Sequence, residues 1–484
     1  MDSNKTKTLL TLTIGALLSA PALATIPSIE SDTDWFDTSG NLIEAHGGHM
    51  FENEGTYYWV GQDRSHNSNL FKGLNCYSST NLADWKFENS ILTPEKNPEL
   101  DADKIVARPK VVFNQLTNSF VMWFKYRDPT GVAPNMKAGV ASSTSPCGNY
   151  NVERTFYPEI DGVQHYTGDT TMLVDTDGEG YYVVSSIGEL ENGVPGTVVG
   201  GENLRRLKVF KLTPDFRDVE EFLYDFPVEV DKKSRREGPA LMKTGDTYVL
   251  LSSGTTSWNT NQQKYSTAPS MSGPWSEWKN IGDEVGFGSQ TAFIIPVNGS
   301  NEATFIYAAD SNKGNVLVDS RYVWLPIKQN NGELKLDWMA SWGISEATGE
   351  WYPSLDASLP TNTLFGTAII DSCPSVSSGF TVNKLGTGGN NNGSLQINNL
   401  YVPRAGDYQL DVSYFSSEDR EADISINGEY QSRSTFSASG AWCYDGGVPA
   451  TKTITVNLNQ GDNSITFSNS AGNAPVLDKV TLLP

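Results

Sequence analysis

Glu44, Asp169, Glu237 and Gln290 stand at matching points of a recurring pattern, each just ahead of a short strand-like run, and Ala107 fills the same point once more. Three of them are carboxylic acids, side chains that can hand over or take up a proton when their surroundings tune them. Gathered at one point they would serve acid–base chemistry on a bound ligand. Spread apart, each would be an ordinary exposed residue at the start of a strand.

The elements that must position them are hairpins. Residues 239–243 are mostly apolar, Thr244-Gly245-Asp246 supplies a turn, and residues 247–251 are β-branched and aromatic, with Glu237 placed just before the first strand. Five such hairpins line up on the aromatic that opens the second strand. Glu44 then precedes Tyr57, Ala107 Phe120, Asp169 Tyr181, Glu237 Tyr248 and Gln290 Phe305, by 13, 13, 12, 11 and 15 residues. The leading position advances by 63, 62, 68 and 53 residues, which leaves room for two further strands per unit. Five four-stranded units predict a five-bladed β-propeller, in which the first strand of each blade lines a central axis and the leading residues converge on one mouth. The last strand of the fifth unit is expected at residues 334–338, and a glycine-rich loop at 188–203 is placed to overhang the axis.

Glycine (44) and proline (24) punctuate strand-like runs and no long amphipathic helix pattern occurs, so the class is all-β. At 484 residues the chain exceeds the ~250–300 at which a single core stops growing, and at least two domains are expected. Residues 1–24 combine Lys5 and Lys7, an apolar run at 9–18 and Ala22-Leu23-Ala24, the pattern of a secretory signal peptide. The expectation is therefore a secreted, extracellular monomer with no membrane partner. A net charge of −22 would repel phosphates, which excludes nucleic acid and favours a neutral ligand. The 12 Trp and 20 Tyr are either packing or flat faces for sugars. Cys76 and Cys147 lie in the repeating region and Cys373 and Cys443 beyond it, so one disulfide within each part is the simplest pairing. His46, His49, His66 and His165 form no familiar metal motif, and no catalytic cofactor is expected.

Past Trp351, Pro353 and Pro360 with several Ser and Thr read as a linker, and from about residue 363 short alternating strands with frequent turns predict a β-sandwich, here of the jelly-roll kind. The division is thus 25–355 for the repeating domain and 356–484 for linker and sandwich. In the latter, Trp442 and Tyr444 flank Cys443 beside Asp445, either as a sugar platform or, for Trp442, as core.

The ordered motifs AHGGHM (45–50), GTYYWVGQ (55–62), ARPKVVFN (107–114), REGPALMK (236–243), GSQTAFIIP (288–296) and DSRYVWLP (319–326) resemble the exo-β-1,3-galactanase branch of glycoside hydrolase family 43. NNGSLQINNLYVPRAGDYQL and AGNAPVLDKVTL near the end are similar to carbohydrate-binding module family 35. The resemblance implies a five-bladed propeller, inverting hydrolysis of a β-galactosidic bond, and a neutral polysaccharide such as β-1,3-galactan or arabinogalactan as partner. It makes Glu237 the general acid, Asp169 the carboxylate that keeps that acid protonated, and Gln290 the amide near the attacking water. It also points to His46, Arg108, Trp258, Arg321 and Tyr322 as substrate contacts. Three positions depart from the family pattern: Ala107 replaces a glutamate, Thr167-Gly168-Asp169 lacks an arginine, and Asp310-Ser311-Asn312 lacks an arginine and a tryptophan. Glu44 is the candidate replacement for the missing glutamate, the alternative being an ion pair with Arg108. A change of sugar to arabinofuranose or xylose, or loss of catalysis with binding retained, are the rival readings. A structural calcium ion in the C-terminal module stays open, since Asp478 matches a family position near such an ion while the usual early glutamates are not evident.

Overall fold

The computed structural model describes residues 27–129, 136–191, 194–195, 205–227, 231, 234–330 and 332–483. The expected signal peptide, 1–24, and most of the expected 188–203 loop lie outside the described residues.

The hairpins fold as the sequence predicts. Four antiparallel sheets of four strands begin with His46–Asn53, Ile105–Asn114, Thr170–Val174 and Arg236–Thr244, and a fifth begins with Gln290–Asn298. These first strands touch in sequence order and the fifth returns to the first, so they form a closed ring. Closure removes the exposed inner edge that an open array would leave. The fifth sheet has three strands, ending at Arg321–Pro326; Glu333–Lys335 instead pairs with Lys328–Asn330 as a separate ribbon. The start of the described chain lies against that sheet, with the Asp32 amide donating to the Tyr322 carbonyl at 2.7 Å.

Side chains between neighbouring sheets are apolar and large. Trp59, Trp85, Trp123, Trp324 and Trp342 are fully buried, and Trp35, Trp59 and Trp324 meet edge to face or tilted at 4.7–5.8 Å, so the aromatic abundance is to a large part packing. The buried Lys110 is an exception. Its ammonium donates to the carbonyls of Gly47 (3.3 Å), Ala292 (3.2 Å) and Gly48, joining the first, second and fifth sheets at the axis.

In the C-terminal part a five-stranded sheet and a larger sheet enclose a core in which alternate residues point inward, among them Ile397, Val412, Ile424, Val456 and Phe467. The expected linker is partly strand: Trp351–Asp356 pairs with Ser341–Ile344 on one side and with Val476–Leu483, the last strand of the chain, on the other. Pro353 lies across from Trp342, just before the pairing with the last strand begins at Ser354; Trp351 stacks on Tyr401 at 5.0 Å and 2° while Lys328 reaches Asp462 at 2.6 Å. Both cysteine pairs form as expected, Cys76–Cys147 with Cα atoms 5.6 Å apart and Cys373–Cys443 at 5.7 Å.

Candidate active site

The entry to each first strand is set by local backbone. In three of them one residue has a left-handed φ, Gly47 (58°), Arg108 (56°) and Gly238 (57°), and the pairing register shifts immediately after it. Such a bulge turns the side chain before it toward the axis. Glycine is needed at 238, where a Cβ would come within 3.1 Å of the Thr291 carbonyl oxygen and 3.2 Å of Ser253 Oγ. Arg108 holds the same conformation with a side chain, a strain offset by its contacts in the centre.

The bulges correct one alignment. They place His46, Ala107 and Glu237 in equivalent slots, across from Gln62, Lys125 and Ser253, while Gln290 lies across from Asp310 and the Asp169 carbonyl accepts from Ser185. Glu44 sits two residues ahead of the first slot, because lining up on the second-strand aromatic absorbed a difference in hairpin length.

Glu237, Asp169 and Gln290 do come together. Glu237 accepts from Arg205 (2.9 Å) on one oxygen and from the Gln290 amide nitrogen (3.4 Å) on the other. Burial raises its pKa; Arg205 opposes this, and the negative charge of Asp169 adds to the rise. Asp169 is bound by Lys125 (2.9 Å) and Arg108 (3.2 Å). Burial acts to raise Asp169 as well, but Arg108 and Lys125 prevail and hold it well below the usual carboxylate range. Two carboxyl groups at one site are thereby pushed in opposite directions, Glu237 toward the protonated form and Asp169 toward the ionised one, the division of roles that proton-donor chemistry requires. Lys125 is itself lowered to about 8, chiefly by burial. Gln290 is fixed in orientation: its amide oxygen accepts from Arg108 (2.7 Å), which can only donate, and its nitrogen donates to Ser253 Oγ (2.9 Å).

Other expected contacts are placed elsewhere. Glu44 is buried, with one oxygen 3.4 Å from His46 Nε2 and accepting from the Arg64 amide at 3.0 Å, so it meets neither Gln290 nor Arg108. His46 is buried with its Nδ1 3.6 Å from Asp310 and its ring stacked on Tyr322 at 4.9 Å. The Tyr322 hydroxyl donates to the Ile43 carbonyl and accepts from the Ala45 amide, both at 2.9 Å, so it anchors the first strand rather than facing a ligand. Arg321 is drawn to Asp34 at 2.5 Å, away from the centre. Trp258 keeps an exposed ring, 5.7 Å from the Arg64 guanidinium, which also donates to Asn312 at 2.6 Å. In the C-terminal part Trp442 is half-buried beneath Arg420 (4.6 Å), and Tyr444 is exposed.

The sequence reading missed Arg205, Lys125, Arg64, Ser253 and Asp310. Arg205 stands beside the missing arginine at Gly168: a Cβ at 168 would come within 2.3 Å of the Ser185 carbonyl oxygen and 3.4 Å of Arg205 Nη1, so the strand backbone excludes a side chain there and the guanidinium lies next to it. The signal was present in the glycine itself. A cavity of about 940 Å3 lies along the far halves of the first strands, lined by residues such as Met172, Leu241 and Ile294. Of the carboxylates that line it, Asp175 is bound by Lys243 and Tyr248, and the pair Glu237 and Asp169 lies outside it. Among the described residues no group of three or more His, Cys, Asp or Glu could hold a metal; Asp478 accepts from Ser413 at 2.7 Å.

The sequence profile of glycosyl hydrolases family 43 matches residues 47–283. An exo-β-1,3-galactanase from Clostridium thermocellum is 32% identical, over 70% of this chain and 73% of that one, with a TM-score of 0.60. The chain belongs to glycosyl hydrolases family 43. An exo-β-1,3-galactanase from Phanerochaete chrysosporium, solved with β-1,3-galactotriose, is 29% identical and covers 94% of this chain and 99% of its own, with a TM-score of 0.59. A family 43 β-1,3-galactosidase solved with galactodeoxynojirimycin is 29% identical over 64% of this chain and 99% of its own, at a TM-score of 0.56. No curated protein matches. Family membership makes the chain a glycoside hydrolase, and its neighbours share the galactanase and galactosidase activities that their names state.

Proposed function

We propose that this family 43 hydrolase is a secreted monomer that releases galactose from the non-reducing end of β-1,3-galactan with inversion. In this reading the ring is a five-bladed propeller over residues 25–355, and the C-terminal sheets form a β-sandwich that holds the polymer. The observation that carries it is the split pair: Glu237 raised by burial, Asp169 held ionised by Arg108 and Lys125, and Gln290 locked beside them.

The steps follow from that geometry. Glu237 protonates the glycosidic oxygen as the bond to the anomeric carbon breaks and positive charge gathers on the sugar ring. Asp169 keeps the proton on Glu237 until that moment and fixes Arg108. The Gln290 amide oxygen has one lone pair on Arg108 and one left to accept from a water, which it orients for attack. The water's proton leaves to solvent after addition. Trp258 offers an exposed face for the sugar ring.

A binding-only reading is favoured by one observation, that Ala107 carries no carboxylate and Glu44 is turned to His46. Incubating the purified chain with β-1,3-galactan, an arabinofuranoside and a xyloside separates the possibilities. Galactose release supports the proposal; arabinose or xylose release moves the substrate; galactan binding without any release makes the ring a binding scaffold.

A further inference from the structure

The side of the mouth that holds Asp169 and Glu237 carries more positive charge than those two carboxyl groups can use. Ala107 lies across from Lys125 and Ile105 across from Arg127, so Lys125 and Arg127 share one face of the second sheet with the bare methyl between the strands. Where the family pattern puts a glutamate at 107, Lys125 would have a cross-strand carboxylate. Here it turns to Asp169. Arg205 enters over Gly168 from the third sheet, and Arg108 comes from the second. Arg127 Nε is buried with no hydrogen-bond partner among the described residues, and the charges of Arg127, Arg205, Asp169 and Glu237 are close enough to act on one another. Once Glu237 holds its proton, Asp169 is the carboxylate shared by Arg108, Lys125, Arg127 and Arg205, with Asp310 acting on Arg108 as well. Among the described residues, Glu44 is bound by His46 and the Arg64 amide, and Asp310 by His46 and the Gly47 amide (2.5 Å).

A buried guanidinium nitrogen without an acceptor is costly, and a neutral hydroxyl answers it poorly. In a chain of net charge −22 such a concentration of cations at one point is not a by-product of composition. We propose that the space left by Ala107 receives an anionic substituent of the sugar, a carboxylate or a sulfate ester, read by Arg127, Lys125 and Arg205. A carboxylate presents a planar pair of oxygens and a sulfate ester a tetrahedral set, and either can accept paired guanidinium N–H bonds. This inference rests on the glycoside-hydrolase reading of the mouth and narrows its substrate to a charged galactan or a uronide-capped one.

The test is equilibrium binding of galactose, galacturonate and galactose 6-sulfate to the full chain at low and high salt, alongside release of galactose from neutral β-1,3-galactobiose. A charged sugar should bind about tenfold or more tightly than galactose at low salt, as expected for a hydrogen-bonded ion pair, and lose that margin at high salt. The margin should also vanish in Arg127→Gln and, independently, in Ala107→Glu, which returns a carboxylate to Lys125; near-ultraviolet circular dichroism checks that each is folded. Preference for galacturonate alone or the sulfate alone identifies which anion is meant. Equal binding of all three sugars, or a preference that survives both substitutions, overturns the inference, and galactobiose hydrolysis would then leave the proposed function standing. A charged-sugar preference without galactobiose hydrolysis keeps the anion site and overturns the neutral-galactan reading instead.

Discussion

Replacing Glu237 by glutamine isolates the proton that the mechanism depends on. The amide keeps the shape of the side chain but has no acidic proton, and general acid catalysis contributes about 10²–10⁴-fold. The surroundings add a second effect. Arg205 can only donate, so the amide oxygen of Glu237→Gln must face it, which puts the new NH2 against the Gln290 nitrogen now 3.4 Å from Glu237. Gln290 cannot rotate to relieve this, because Arg108 holds its oxygen at 2.7 Å. Two opposed donors cost about 1–3 kcal/mol, felt as lower stability and a looser site. The assay compares β-1,3-galactobiose with an aryl galactoside whose leaving group departs without a proton. On the disaccharide the variant should lose about 10²–10⁴ in kcat/KM; on the aryl substrate the loss should shrink to about tenfold or less. The alkaline limb of the pH profile should disappear with it, since Glu237 works below its raised pKa and activity falls as pH climbs through that value. A variant that kept more than about a tenth of the wild-type rate on the disaccharide, or lost both substrates equally, would refute Glu237 as the acid.

Arg205→Met removes the cation 2.9 Å from Glu237 that opposes the effect of burial, so the alkaline limb should move to higher pH; a limb that stays or moves down means that another group titrates there. Gln290→Ala should cut galactose release by about tenfold or more, whereas Glu44→Ala with added azide should give no glycosyl azide, because Glu44 faces His46; an azide adduct would show that Glu44 reaches the water after all. Lys110→Met leaves three carbonyls at the axis without their donor and should destabilise the ring by about 2–5 kcal/mol in chemical denaturation, and an unchanged midpoint would refute the pin that Lys110 forms between three sheets.

The repeat was legible because each hairpin carries turn residues and an aromatic at nearly constant spacing, and Glu237, Asp169 and Gln290 followed from it. Glu44 was misplaced because the turn of the first hairpin is two residues shorter than that of the second, so that His46 leads Tyr57 by 11 residues where Ala107 leads Phe120 by 13. Lys125, Arg127 and Arg205 were hidden for a different reason. They sit on or beside second and third strands, where a basic residue on a polar face reads as solvent-exposed, and only closure of the ring turns that face inward. Tyr322 and Arg321 looked alike in sequence as neighbours in a motif, yet the alternation of a strand sends one into the core and the other out to Asp34.

The strand Trp351–Asp356 is shared property: it closes one part of the molecule and opens the other. A binding module on a floppy tether searches a volume, and its help depends on tether length. Here the pairing with Val476–Leu483, the Trp351–Tyr401 stack and the Lys328–Asp462 contact make the module a handle welded to the tool. In the proposed reading, a polysaccharide gripped by both parts is presented at a single pitch, and only chains whose own helical bend suits that pitch are gripped and cut together. The same weld makes cutting the molecule at residue 356 a poor way to study either half, because it would bare a naked strand edge on the hydrolase that invites pairing with its neighbours.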